Sequence, residues 1–335
     1  MKLLNSLDVH SKKVLVRLDL DVPFGEDGEV SDVTRIEAAK KTVKYLIDQG
    51  VGNMAICGHI GRPDGVDSRL STRNLLKVLS EIFDLQISYV DAFWVENFNE
   101  KILLLENLRF DPGEEANDSN FAKKLASGFD LFVNESFATA HRVSASTVGV
   151  TRYLDSCAGF RFAEEVDHLE NLLKSSERPL LSIIGGAKIE TKLPVIIALS
   201  KFSDAVLVGG LLPKEIKESK IMFEKNVFVA ELDQTGMDVS KESLGEFIQK
   251  IINAKSIIWN GPIGNFENKL YSDGTKILVE SLMKSSAKIV IGGGDTINAF
   301  NQFGDISKVD WVCLGGGAML DFISGQKMPA IEVLE

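Results

Sequence analysis

Short apolar runs alternate with amphipathic stretches along the whole chain, the pattern of parallel strands joined by crossover helices. In the first half, strands are expected over 14–18, 54–57, 87–90, 102–105 and 131–133, with helices over 35–48 and 117–127 among them. In the second half, strands are expected over 180–184, 205–208, 227–230, 257–259, 288–291 and 311–313. Between the halves, residues 162–174 carry apolar positions at helical spacing among acids, and Ser175-Ser176-Glu177-Arg178-Pro179 stops that pattern. The expected fold class is α/β: two doubly wound parallel-sheet (Rossmann-like) domains joined by a helical linker and hinge. The boundaries expected are 1–160 for the first domain, 161–178 for the linker, and 179–318 for the second domain.

The residues just past each strand differ between the halves. Strand ends of the first run into Arg17-Leu18-Asp19-Leu20-Asp21, Gly58-His59-Ile60-Gly61-Arg62, Glu106-Asn107-Leu108-Arg109 and Asn134-Glu135-Ser136. Those of the second run into Gly185-Gly186-Ala187-Lys188, Gly209-Gly210, Asn260-Gly261-Pro262, Gly292-Gly293-Gly294-Asp295 and Gly315-Gly316-Gly317. Open parallel sheets bind ligands at the carboxyl ends of their strands. An edge rich in Arg and His suits a small anion; an edge of glycine turns with a Lys and an Asp suits phosphates and a metal. Two unlike edges imply two ligands facing each other across a cleft.

Composition narrows the class. The 335 residues, 44% apolar and 25% charged, are those of a globular protein with two domains. A net charge of −11 argues against nucleic-acid binding, and no apolar run is long enough to span a membrane. Of the ten arginines, nine lie within the first 161 residues while lysines continue throughout, so the guanidinium forks concentrate in one half. Arg69, Arg73 and Arg161 read as surface pairing. Cys57, Cys157 and Cys313 are far apart and lack metal-ligand spacing, which predicts buried free thiols and a cytoplasmic location. His10 and His168 read as structural, whereas His59 and His141 each stand near an arginine after a strand. There is no P-loop, dinucleotide fingerprint or nucleophilic triad. The residues alone therefore point to a two-domain phosphoryl-transfer or nucleotide-ligase-like enzyme.

The strings Val16-Arg17-Leu18-Asp19-Leu20-Asp21-Val22-Pro23, Gly58-His59-Ile60-Gly61-Arg62-Pro63, Leu105-Glu106-Asn107-Leu108-Arg109-Phe110 and Ala140-His141-Arg142 resemble motifs of phosphoglycerate kinases. So do Gly185-Gly186-Ala187-Lys188, Trp259-Asn260-Gly261-Pro262, Gly292-Gly293-Gly294-Asp295-Thr296 and Gly315-Gly316-Gly317-Ala318, in the family's order over nearly the whole chain. The resemblance implies that Asp19, Asp21, Arg35, His59, Arg62, Arg109 and Arg142 bind 3-phosphoglycerate or 1,3-bisphosphoglycerate. It implies that Gly186, Lys188, Lys192, Gly210, Asn260, Pro262, Glu267, Gly293, Gly294, Asp295 and Thr296 bind ATP or ADP, with Asp295 holding Mg2+. Catalytic roles would fall to Arg35, Lys188, Gly316 and Gly317, which converge only when the cleft closes. The segment 319–335 would return to the first domain, and the family's usual state is a monomer.

The chain also departs from the family. Asp21 stands where Asn is usual, and a carboxylate repels an anionic substrate where an amide would donate to it. Only 48 residues separate Gly210 from Trp259, several dozen fewer than usual. Cys313-Leu314 replaces Ser-Thr, Glu135 replaces Asp, and Gly58 replaces Ser. The alternative reading is a degenerate, non-catalytic relative that binds phosphoglycerate or a protein partner.

Overall fold

The computed structural model describes residues 1–96 and 98–335. They form two compact units, one of Met1–Asp167 with Lys327–Glu335 and one of His168–Gln326. Each is built on a six-stranded sheet in which every strand pair is parallel.

In the first unit the order along the chain is β1 (Lys13–Arg17), α1 (Thr34–Ala38), α2 (Lys40–Asp48), β2 (Asn53–Cys57), α3 (Leu76–Phe83), β3 (Ser88–Val90) and β4 (Ile102–Leu105). Then come α4 (Pro112–Glu115), α5 (Ser119–Ala126), β5 (Leu131–Asn134), β6 (Asp155–Ala158) and α6 (Phe160–Ser175). The sheet runs β3-β4-β2-β1-β5-β6. Alternate residues of one strand feed opposite cores, as a sheet covered on both faces requires. Val14, Val16, Met54, Ile56, Ile102 and Leu104 pack with Val43, Leu46 and Leu79 of α2 and α3. Leu15, Ala55, Leu103, Leu105 and Phe132 pack on the other face with Phe121 and Leu125 of α5.

The second unit continues with β7 (Leu180–Ile184), α7 (Ile189–Phe202), β8 (Ala205–Val208), α8 (Leu212–Glu218), β9 (Val227–Val229), α9 (Lys241–Asn253) and β10 (Ser256–Asn260). It ends with α10 (Asp273–Lys284), β11 (Lys288–Gly292), α11 (Gly294–Phe303), β12 (Trp311–Cys313) and α12 (Gly316–Ile323), before α13 (Pro329–Glu332) in the first unit. The sheet order is β12-β11-β10-β7-β8-β9. The chain thus leaves β7 to one side through β8 and β9, then returns to β10 on the other. That makes β7/β10 the switch point where a crevice opens at the carboxyl ends.

Eleven of the twelve strands fall where the apolar runs place them. The twelfth, β6, has the sequence Asp-Ser-Cys-Ala, with no β-branched run, and forms because β5 offers it a free edge. The helix expected over 35–48 is broken at Ala39 into α1 and α2. All three cysteines are free and buried; burial pushes the thiols of Cys57 and Cys157 up to about 12, so neither ionises at neutral pH. Among the described residues no helix is long and apolar enough to cross a membrane.

Leu104 is fully buried in the α2/α3 face of the first sheet. Leu104→Ala is expected to destabilise that unit by about 3 kcal/mol through lost burial and an unfilled cavity. Ile252, which is 61% exposed, should change stability by less than about 0.5 kcal/mol when cut to Ala. Urea unfolding of both variants checks the contrast.

Candidate active site

The carboxyl edge of the first sheet gathers guanidinium groups around one imidazole. Arg17 closes β1 and is 2% exposed. Its Nε donates to Ser146 Oγ at 2.8 Å and its Nη2 to His59 Nδ1 at 3.4 Å, while Nη1 is buried with no hydrogen-bond partner. Ser146 Oγ in turn donates to Glu114 at 2.5 Å, and Ser144 Oγ donates to the same buried carboxylate at 2.9 Å. Glu114 thereby balances part of the Arg17 charge through a hydroxyl rather than by direct pairing. The sequence sets Arg17 on the Arg- and His-rich edge but not among the residues assigned to a ligand; it is the cation that ends an otherwise apolar strand, Val-Leu-Val-Arg.

His59 follows β2 and is buried. Burial, then the charges of Arg17, Arg109, Arg142 and Arg35, hold its pKa well below the usual imidazole value, so the ring is neutral. Because Nδ1 accepts from Arg17, the ring proton sits on Nε2, 3.9 Å from Asp21 Oδ2. Asp21 Oδ1 accepts from the amide of Gly61 at 2.8 Å, so its carboxylate braces the loop that carries His59 and Arg62. The same loop is also held by Asn107, whose Nδ2 donates to the carbonyls of Ile60 and Leu70.

Arg109 Nη1 donates to Gly61 O at 2.5 Å, and its Nε lies 3.3 Å from Glu115. Arg35, on α1, reaches both oxygens of Asp19 from Nη1 at 3.2 and 3.1 Å. Burial raises the Asp19 carboxyl, and Arg35 opposes that shift. Arg17, Arg109 and Arg142 line a cavity of about 60 Å3 together with Thr139, Ser144 and Glu114. Arg62 is exposed. The edge therefore brings Asp19, Asp21, Arg35, His59, Arg109 and Arg142 into one cluster. His141 and Arg142 lie farther along the chain than a strand end, after a short helical turn at Phe137–Thr139.

The second unit builds its edge from backbone. At the switch point Gly185 N donates to Asn260 O and Gly186 N to Pro262 O. A Cβ on Gly185 would run into the carbonyls of Pro262 and Gly261, so the two turns touch main chain to main chain. The turn before α12 packs likewise, since a Cβ on Gly316 would meet the backbone of Gly293. Neither α11 nor α12 has a side chain capping its first-turn amides.

Lys192 Nζ donates to Asn260 Oδ1 at 2.6 Å, and Asn260 Nδ2 donates to Gly292 O at 2.7 Å. Asn260 is thus consumed in orienting Lys192 and the β11 turn. Burial pulls the Lys192 ammonium down to about 8, and the nearby Asp295 carboxylate resists that shift. Lys188 is exposed just before α7, and Asp295 is exposed in the first turn of α11. Thr296 is 1% exposed; its hydroxyl accepts from Gly261 N and donates to Gly292 O, so its side chain locks the turn and only its backbone is available to a ligand. Gly210 follows β8 in contact with Gly186, Pro262 is half-buried, and Glu267 is exposed beyond it. Gly294 and Gly317 are exposed at the two helix starts.

The phosphoglycerate kinase family profile matches residues 4–221 and 214–326. The phosphoglycerate kinase of Francisella tularensis subsp. novicida is 35% identical over 385 aligned positions, spanning 99% of this chain and 97% of that protein. That of Thermosynechococcus vestitus is 33% identical, over 99% and 98%. Among solved structures, phosphoglycerate kinase from Pyrococcus horikoshii OT3 superposes with a TM-score of 0.86 at 27% identity, over 100% of this chain and 98% of that one. The one from Coxiella burnetii gives 0.83 at 30%, over 99% and 98%. The aligned spans exceed the 335 residues present, and the profile's two pieces meet over 214–221. A segment of the relatives is therefore missing near the end of α8.

The buried, neutral His59 makes stability depend on pH. Below about pH 6.5 the unfolded chain binds a proton that the folded one refuses until far lower pH, so stability falls as pH drops through that range. His59→Gln removes this difference. Its melting temperature is expected to fall less than that of the parent between about pH 7 and pH 5.5. Thermal melts at the two values test it, and equal falls would show that His59 is protonated in the folded state.

Proposed function

This chain belongs to the phosphoglycerate kinase family, and we propose that it carries out the reversible, Mg2+-dependent transfer of a phosphoryl group between 1,3-bisphosphoglycerate and ADP, giving 3-phosphoglycerate and ATP. The observation that carries this reading is the cluster of Arg17, Arg109 and Arg142 about a neutral His59. It offers planar, charge-assisted donors to the phosphate and carboxylate of a small acid. Asp19 holds Arg35 through Nη1 and so steadies that guanidinium for the substrate. Arg62 completes the rim.

The second unit takes the nucleotide. Lys188 and Lys192 face its phosphates, backbone amides at Gly293, Gly294, Gly316 and Gly317 donate to their oxygens, and Glu267 meets the ribose. Asp295 fits a magnesium ion. Its carboxylate is exposed and enters no ion pair among the described residues, and its charge already reaches Lys192. Among the described residues no cluster of three or more metal-ligating groups exists. That suits an ion held by one carboxylate together with phosphates and water. When bound, the ion supplies charge neutralisation to the phosphate chain.

Phosphoryl transfer asks little covalent chemistry of a protein; it asks for in-line placement and for positive charge on the equatorial oxygens. Arg35 and Lys188 supply that charge, and the α12 amides add to it. The three buried free thiols support a cytoplasmic protein, and it acts as a monomer.

A coupled assay with 3-phosphoglycerate, MgATP, excess glyceraldehyde-3-phosphate dehydrogenase and NADH is expected to show turnover. Arg35→Ala and Lys188→Ala should each lower kcat by about a hundredfold or more while changing substrate affinity far less. Near-normal turnover in either variant removes that residue from the mechanism. Binding of 3-phosphoglycerate without turnover in the parent would support a non-catalytic relative instead. Asp21→Asn keeps an oxygen for Gly61 N and deletes a charge that repels the substrate, so its KM for 3-phosphoglycerate should fall several-fold, roughly 1 kcal/mol. An unchanged KM would confine Asp21 to bracing the loop.

A further inference from the structure

The loop over residues 135–142 carries Arg142 to the anion cluster, and it is held at both ends by main-chain donors from elsewhere in the first unit. At its start, Glu135 is 4% exposed. Its Oε1 accepts from Arg161 N at 3.0 Å and its Oε2 from Phe162 N at 3.3 Å. These are amides of the first turn of α6, which would otherwise lack partners. Thr42 Oγ1, from α2, accepts from the neighbouring amide, Phe160 N, at 2.8 Å, and the same side chain hydrogen-bonds Glu135. Gly159 makes room for this arrangement, because a Cβ there would overlap the Glu135 carboxylate. At the far end of the loop, Ala140 O accepts from Ala330 N of α13 at 3.1 Å.

These two anchors coincide with the two places where the chain crosses between units. It leaves the first unit within α6, at Asp167–His168, and re-enters it at Lys327, two residues before α13. Both crossings thus begin or end on elements bonded to the 135–142 loop. We propose that Glu135 is a positioning residue for the reaction: by fixing the loop to the first turn of α6, it sets where Arg142 meets the phosphoglycerate. This rests on the assignment of Arg142 to that substrate under the proposed function.

Glu135 touches no substrate, so its loss should move one affinity and leave the other. Glu135→Gln keeps the volume but offers one acceptor where two helix amides need two. Thr42→Val disturbs the same anchor from α2 without opening a cavity, and Thr42→Ser retains the hydroxyl. The measurement is calorimetric binding of 3-phosphoglycerate and of MgATP to the full chain at about pH 9, above the value of about 8 to which burial pushes the Glu135 carboxyl, so that it is ionised. Arg142→Ala runs beside these variants.

Glu135→Gln and Thr42→Val are each expected to weaken 3-phosphoglycerate about fivefold while MgATP stays within about twofold, with Thr42→Ser like the parent. If Arg142→Ala weakens 3-phosphoglycerate but Glu135→Gln and Thr42→Val do not, the positioning role is wrong and the substrate assignment stands. Equal losses for both ligands would make Glu135 merely structural and also overturn the proposal. If Arg142→Ala itself has no effect, the substrate assignment fails and takes the positioning role with it.

Discussion

Crowding guanidinium groups at one sheet edge is unfavourable unless each is braced and an anion is available to share their charge. In the first unit that constraint accounts for side chains that would otherwise look scattered. Glu114 is buried at the cost of desolvating a carboxylate, yet it holds Ser144 and Ser146, and Ser146 holds Arg17. Asp19 braces Arg35, Glu115 stands beside Arg109, and Asp21 ties down the loop that follows β2. His59 stays neutral because its neighbours are cations, and a neutral ring adds a donor to the site without adding to the repulsion. The hydrogen-bonding capacity left over, Arg17 Nη1 above all, is what a phosphate or carboxylate would take up.

The second unit builds its edge by the opposite means. It presents little fixed charge and much bare backbone, because amides at helix starts bind phosphate oxygens without side chains that would have to be ordered. Main-chain contact between the Gly185 and Gly261 turns, and between those of Gly293 and Gly316, sets the spacing of these amides along neighbouring strands. The half-buried lysine of the site, Lys192, is aimed by Asn260, which also holds the β11 turn. A cation whose pKa is drawn down to about 8 by burial is one whose charge a triphosphate would restore.

Period and composition make most of this architecture legible, for a physical reason. An apolar run of four or five residues between turn formers has few alternatives to a buried parallel strand, and residues just past it must then lie at the carboxyl edge. Arg109, His59, Lys188 and Asp295 can be placed on an edge by that logic alone. The pairing of side chains is not legible. Spacing cannot say that Arg17 bonds Ser146 rather than a carboxylate, that Asp21 accepts from Gly61, or that Thr296 turns its hydroxyl inward, because each depends on packing between distant segments. Strand β6 is hidden for a related reason: it exists by virtue of its neighbour's free edge and not of its own sequence.

The missing segment bears on how much of the second unit's glycine-rich edge survives. It falls near the end of α8, on the connection that feeds β9 at its amino end. All six strands are nonetheless present and parallel, and β9 still pairs with β8 over three residues. The turns at Gly185, Gly210, Asn260, Gly293 and Gly315 each belong to a strand end that is retained, and their mutual contacts involve no residue between α8 and β9. Shortening a connection costs little when the strands it joins keep their register, since register, not connection length, fixes where each turn emerges. The amides, Lys188, Lys192 and Asp295 therefore keep their scaffold of strand ends, and the missing segment removes none of the turns that carry them.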